Sequence, residues 1–189
     1  MEKYVLASKS PRRKQLLEWA EIDFEIIVAD TDESYPPGLR PEEVAVHIAR
    51  DKAQAVKNAV GTDRVIIAAD TIVVLDNDII GKPRDRDHAI EILSRLSGRK
   101  HTVITGVSIL TTVEHNFWDS TDVEFHSLSG RDIEFYIDKY QPYDKAGAYA
   151  IQEWIGVVGI KNISGDFYNV MGLPVSRVVK ALNEIALSK

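Results

Sequence analysis

From Val65 to Leu75 nine of eleven residues are apolar, and the two exceptions, Asp70 and Thr71, stand side by side in the middle. A run of this length and apolarity predicts a buried strand, or two strand segments meeting at the polar pair. Around it the pattern changes period several times. Tyr4 to Ala7 is a short apolar strand, and Ser10-Pro11 supplies an N-cap and a first-turn proline for a helix from Pro11 to about Ala20. Phe24 to Ala29 reads as a second strand, followed by an acidic, turn-rich loop from Asp30 to Gly38. Pro41 opens a helix to about Val60. After Leu75, Asp76-Asn77-Asp78 is a tight turn that sends Ile79-Ile80 back as a hairpin. Asp87 to Leu96 is helical and stops at Gly98. Thr102 to Thr112 and Asn116 to Leu128 read as antiparallel strands, Ser129 with Asp132 as a capping box for a helix ending near Tyr140, Gly156 to Ile163 as a strand, and the residues after Pro174 as a closing helix. Strands alternating with helices, without repeat or linker, predict one α/β domain over residues 1–189, with a mixed twisted sheet and flanking helices.

Composition narrows the function. A chain of 189 residues buries a proper core without staples, and the absence of cysteine removes disulfides, thiolate zinc sites and cysteine nucleophiles. No apolar run approaches membrane-spanning length, and the first residues turn polar at Ser8, too early for a signal peptide, so a soluble cytoplasmic protein is expected. The net charge of -6 argues against a nucleic acid polymer as partner, since such binding needs a basic surface. A phosphate-bearing ligand must therefore meet a local basic cluster.

Asp70 is the first candidate for chemistry, because a carboxylate in an apolar run is costly unless a cation, a metal or several donors satisfy it. A satisfied structural aspartate at a strand end is the competing reading. Leu6-Ala7-Ser8-Lys9-Ser10-Pro11-Arg12-Arg13 runs from a strand through a small polar turn into a helix start, where free N–H groups and arginines match a phosphate. Arg12 and Arg13 read equally well as solvated charges. On the helix from Pro41, Lys52 falls in the stripe formed by Ala45, Ala49, Val56 and Val60. It either snorkels to water or projects its ammonium into a cleft. Lys82, between Gly81 and Pro83, is a loop lysine or a second ligand of the same anion. Glu33, in the acidic loop, forms with Asp70 a hard oxygen site for magnesium or manganese, unless the loop is merely solvated. The five histidines show no metal-ligand spacing, and His101 reads as structural. Small residues from Asp144 to Ile151 allow close approach to a planar ligand, and Gln152 carries the donor and acceptor that suit the edge of uracil or thymine, or else forms the polar rim of a packed turn.

Leu-Ala-Ser-Lys-Ser-Pro-Arg-Arg at 6 to 13, Ala-Asp-Thr at 69 to 71, Gly-Lys-Pro at 81 to 83, Leu-Ser-Gly-Arg at 96 to 99, Asp-Lys-Ala-Gly-Ala-Tyr at 144 to 149 and Asn-Val-Met-Gly-Leu-Pro at 169 to 174 together resemble, in order, the Maf family of nucleoside triphosphate pyrophosphatases. The resemblance implies a two-lobed, inosine-triphosphatase-like fold with a nucleotide cleft, a divalent cation (Mg2+ or Mn2+) as cofactor and a homodimer. Asp-Lys-Ala-Gly-Ala-Tyr followed by Ile-Gln is similar to the branch acting on dTTP and UTP. By that likeness Asp70 takes the position of the catalytic acid/base, and Arg12, Thr71 and Gln152 the positions that set base specificity. Ser8, Lys52, Lys82 and Glu33 match further positions of the family's cleft. Ala150 stands where many members have glycine, and Glu153-Trp154-Ile155 replaces a more glycine-rich stretch. Two other readings share these residues: a nucleotide-binding regulator of septum formation with little turnover, and a 7-methyl-GTP pyrophosphatase. Pyrophosphate release across a substrate panel separates all three.

Overall fold

The computed structural model describes residues 4–61 and 64–187. Its elements in chain order are β1 (Tyr4–Leu6), α1 (Pro11–Trp19), β2 (Phe24–Ile26), α2 (Pro41–Val60), β3 (Ile66–Leu75), β4 (Asp78–Ile80), α3 (Arg86–Leu96), β5 (Lys100–Leu110), β6 (Glu114–Phe125), α4 (Gly130–Tyr140), a 3-10 turn (Ala146–Ala148), α5 (Trp154–Gly159), β7 (Ile160–Ser164), α6 (Phe167–Met171) and α7 (Val175–Leu187). The seven strands form a mixed sheet in the order β2-β1-β3-β5-β6-β7, with β4 paired to β3. The chain divides into two compact units, one of residues 1–71, 105–119 and 172–189, the other of residues 72–104 and 120–171, so β3, β5 and β6 each contribute to both. Among the described residues no helix is long and apolar enough to cross a membrane.

In the first unit β1 lies parallel to both β2 and β3, with Val5 opposite Ile66 and Leu6 opposite Ile67. Strand alternation sends Ile66, Ala68 and Asp70 to one face and Ile67, Ala69 and Thr71 to the other. The first face packs on α2, where Ala53 and Val56 meet Val5, Ala7, Ile66, Ala68 and Leu110 in one buried cluster. Helix α2 forms because alanine and valine recur along one stripe between the first-turn residue Pro41 and a left-handed terminal glycine, Gly61. Glu42 and Glu43 in its first turn suit the helix dipole. The polar pair does not split β3: the strand is continuous through Asp70 and Thr71.

The second unit is built on Val73, Leu75, Ile80, Leu93, Leu96, Phe125, Ile137 and Tyr149 among others, with α3 packed against α4. Arg86 fastens that pair, its guanidinium reaching Glu134 and Asp138. The hairpin turns at Asp76 and Asn77, both left-handed, and pairs Val73 with Ile80. The Ser129–Asp132 capping box is present as the sequence predicts. The expected strand from Gly156 is instead helix α5, and β7 begins only at Ile160. A short apolar run does not distinguish helix from strand by period alone. Here the Gly156 and Val157 N–H groups bond back to the Glu153 carbonyl, and a Cβ on Gly156 would fall 1.8 Å from the Ile151 carbonyl oxygen. Phe24–Ile26 is shorter than expected, and α6 and the 3-10 turn are not foreseen by the pattern.

His101 is buried in this unit, with Nε2 2.7 Å from the Tyr149 hydroxyl and its ring against Phe125. Burial lowers its pKa to about 4, with Asp122 pulling the other way, and burial raises that of Tyr149. The folded protein therefore holds His101 neutral where the unfolded chain, near its ordinary 6.5, binds a proton. This contribution to stability is complete above pH 6.5 and is lost as the pH falls toward 4. We expect urea unfolding to show about 2 kcal/mol less stability at pH 5 than at pH 7 from this group. A His101→Gln variant, less stable at pH 7, should lose less on the same descent.

Candidate functional site

Asp70 follows Ile66 and Ala68 on the face of β3 that packs on α2, and α2 brings Lys52 to it. Lys52 Nζ stands 2.7 Å from Asp70 Oδ1 and 2.7 Å from Glu33 Oε1. One ammonium thus neutralises two carboxylates whose contacting oxygens lie no farther apart than twice that distance. This explains how β3 carries a carboxylate: the Asp70 side chain is only 14% exposed, and Lys52, 17% exposed, supplies both the counter-charge and a donor. Of the two fates open to Lys52 from its helical position, projection inward is the one the structure adopts. Glu33 comes from the loop between β2 and α2 and is 45% exposed, so the cluster opens to solvent on its side.

The opposite face of β3 carries Thr71, and here Arg13 is the organising group. Its Nε donates to the Gly172 carbonyl at 2.7 Å, Nη1 to Ser8 Oγ at 3.2 Å and Nη2 to Thr71 Oγ1 at 3.0 Å. Arginine only donates, so Thr71 accepts from it and turns its own proton toward Thr105 Oγ1, 2.9 Å away, or the more distant Gly172 carbonyl at 3.5 Å. Ser8 accepts a second bond from the Ser10 N–H at 3.2 Å, which fills both lone pairs and leaves its proton to donate. Desolvation lowers the pKa of Arg13, while Asp70 and Glu33 support its charge and Arg12 opposes it. Arg13 therefore lies within electrostatic reach of both carboxylates. Arg12 occupies the first turn of α1, behind a Ser10 N-cap that accepts from the Arg13 N–H.

In the second unit Lys82 lies exposed in the loop after β4, and Gln152 lies exposed between buried Ile151 and partly buried Glu153. Of the residues read from the sequence, the first unit thus gathers Ser8, Arg13, Glu33, Lys52, Asp70 and Thr71, with Arg12 beside them in α1, while Lys82 and Gln152 belong to the second.

The Maf-like protein family model matches residues 3–185. The chain belongs to the Maf family. It is 47% identical over 189 residues to a dTTP/UTP pyrophosphatase of Bacteroides thetaiotaomicron, covering 98% of each chain, and 50% identical over 182 residues to a dTTP/UTP pyrophosphatase of Cytophaga hutchinsonii, covering 96% of this chain and 83% of that one. The structure of a HAM1 protein from Coxiella burnetii superposes with a TM-score of 0.53 at 16% identity, over 97% of this chain and 100% of that one, and so shares the fold.

With the Maf motifs placed in three dimensions, the residues that sequence reasoning missed become visible. Thr105 and Gly172, which fix Thr71 and Arg13, are among them. Thr105 carried a weak signal, as a polar residue in the apolar stretch Val103 to Leu110. Gly172 contributes only its carbonyl, which no side-chain pattern reports. Among the described residues no group of three or more histidine, cysteine, aspartate or glutamate side chains converges as a metal site. Glu33 and Asp70 nevertheless match the one or two carboxylates with which magnesium is held when substrate phosphates complete its shell.

Proposed function

We propose that this Maf protein hydrolyses dTTP and UTP between the α and β phosphates, releasing the nucleoside monophosphate and pyrophosphate. The observation that carries the reading is the pair of carboxylates, Asp70 and Glu33, meeting at the Lys52 ammonium in a chain whose relatives bear that activity in their names. Asp70 is the base: Lys52 donates to its Oδ1 and so orients the carboxylate that takes the proton of the attacking water. Lys52 and Lys82 neutralise charge developing on the phosphates, and Ser8 donates its hydroxyl proton to a phosphate oxygen. Arg13 joins this phosphate-binding set through its positive charge and through its hold on Ser8. Arg12, Thr71 and Gln152 set the choice of base. Glu33 would hold a divalent cation, Mg2+ or Mn2+, beside Asp70, which keeps the base role; the cation would supply Lewis-acid polarisation of the phosphates.

The test is pyrophosphate release from dTTP, UTP, CTP, GTP and 7-methyl-GTP, with and without Mg2+ or Mn2+. Metal-dependent turnover selective for dTTP and UTP supports the reading. Nucleotide binding without turnover overturns it in favour of a sensor, and preference for 7-methyl-GTP moves the chain to that branch.

A further inference from the structure

In the second unit, Tyr136 of α4 is fully buried, and its hydroxyl accepts from the Ala150 N–H at 3.2 Å while donating to Glu153 Oε2. The other oxygen of Glu153 faces the ammonium of Lys145 at 3.6 Å, and Lys145, 9% exposed, is shared with Asp144 at 2.8 Å. The main chain between these anchors is fixed as well. The Glu153 N–H bonds to the Ala150 carbonyl at 3.1 Å, and the Ile151 carbonyl lies against Gly156 so closely that no Cβ fits there. Ala150 and Ile151 are buried, and Gln152 is the exposed residue at the crest of this braced segment.

We propose that Glu153 is a positioning residue for base recognition, acting through Gln152. The inference rests on the reading of Gln152 given above. A glutamine side chain has three rotatable bonds and an amide that can present its donor and acceptor in either order. Its value as a reader of a pyrimidine edge therefore depends on a main chain that does not move beneath it, since affinity gained by preorganisation is lost when the support is loosened. Glu153 supplies that support: it joins α4 through Tyr136, and the 144–145 turn through Lys145, to the residue next to Gln152.

The test is a double-mutant cycle on the full chain, read as steady-state pyrophosphate release from UTP. Gln152→Ala and Glu153→Ala should each raise KM about tenfold with kcat within about twofold, as expected for loss of one base contact. The combined variant should be no worse than Gln152→Ala alone. Glu153→Gln should recover most of the loss, because its amide oxygen still accepts from Tyr136 and Lys145 keeps Asp144. Tyr136→Phe should behave as Glu153→Ala does, and it carries the same cycle if Glu153→Ala fails to fold. Additive effects of positions 152 and 153, or an unchanged KM in Glu153→Ala, overturn the positioning role. An unchanged KM in Gln152→Ala, by contrast, removes the base-reading assignment on which that role stands.

Discussion

Asp70→Asn yields a folded protein whose pyrophosphate release from dTTP falls by a hundredfold or more. The substitution is isosteric, and the amide oxygen can still accept from Lys52 at the position now held at 2.7 Å, while Lys52 keeps its ion pair with Glu33. The packing behind it, Ile66 and Ala68 against α2, does not involve the charge. What disappears is the basic oxygen, and general base catalysis by a positioned carboxylate is worth roughly two to four orders of magnitude in rate. The measurement is single-turnover hydrolysis at saturating dTTP and Mg2+, with circular dichroism and urea unfolding beside it. A folded Asp70→Asn protein with wild-type turnover would remove Asp70 from the base role. Unchanged nucleotide binding with turnover lost is the expected outcome, because Ser8 and Arg13, proposed above to bind the phosphates, lie outside the substitution.

How much of this was legible beforehand depends on the range over which each feature is determined. Helix α4 was readable to its boundary because Ser129 and Asp132 specify its start locally, through hydrogen bonds over three residues. Helix α5 was not, since Trp154 to Gly159 is apolar without a period, and its helical form is imposed by Gly156 packing on the Ile151 carbonyl. The same division runs through the site. Asp70 announced itself as a carboxylate in an apolar strand, and Lys52 as a cation in an apolar helical stripe. That each is the answer to the other follows only from the packing of α2 on β3. Arg13 was legible as a basic residue at a helix start, but its three partners lie 5, 58 and 159 residues away. No local pattern encodes a contact with a main-chain carbonyl so distant. Gln152 could be named from its chemistry, whereas the brace beneath it depends on Tyr136, a residue that reads as ordinary core.

The largest effect on stability is expected at Gly106, far in sequence from either candidate carboxylate. A Cβ on Gly106 would lie 2.3 Å from the Ala45 carbonyl carbon, 2.4 Å from the Val46 nitrogen and 2.5 Å from the Ala45 oxygen. These are main-chain atoms of α2, so no rotamer change relieves the clash. The helix as a whole must withdraw from β5 by about 1 Å to restore ordinary contact, and overpacking that moves backbone costs on the order of 3 kcal/mol. Gly106→Ala should therefore lower the melting temperature by about 10 °C in a chain of this size, and Gly106→Val should prevent folding. Gly130→Ala is the control. Its Cβ meets nothing within 4 Å in the first turn of α4, and it should stabilise slightly. The consequence for function follows from the register of α2. Lys52 lies two helical turns beyond Ala45, on the helix that Gly106 seats against the sheet, and it is this seating that sets Lys52 Nζ 2.7 Å from Asp70. A shift of about 1 Å at a catalytic group can cost on the order of a hundredfold in rate. Gly106→Ala, measured at a temperature where it remains folded, should accordingly lose turnover although it touches neither substrate nor charge. If its turnover stays within twofold of wild type while stability falls, α2 does not set the position of Lys52 through this contact.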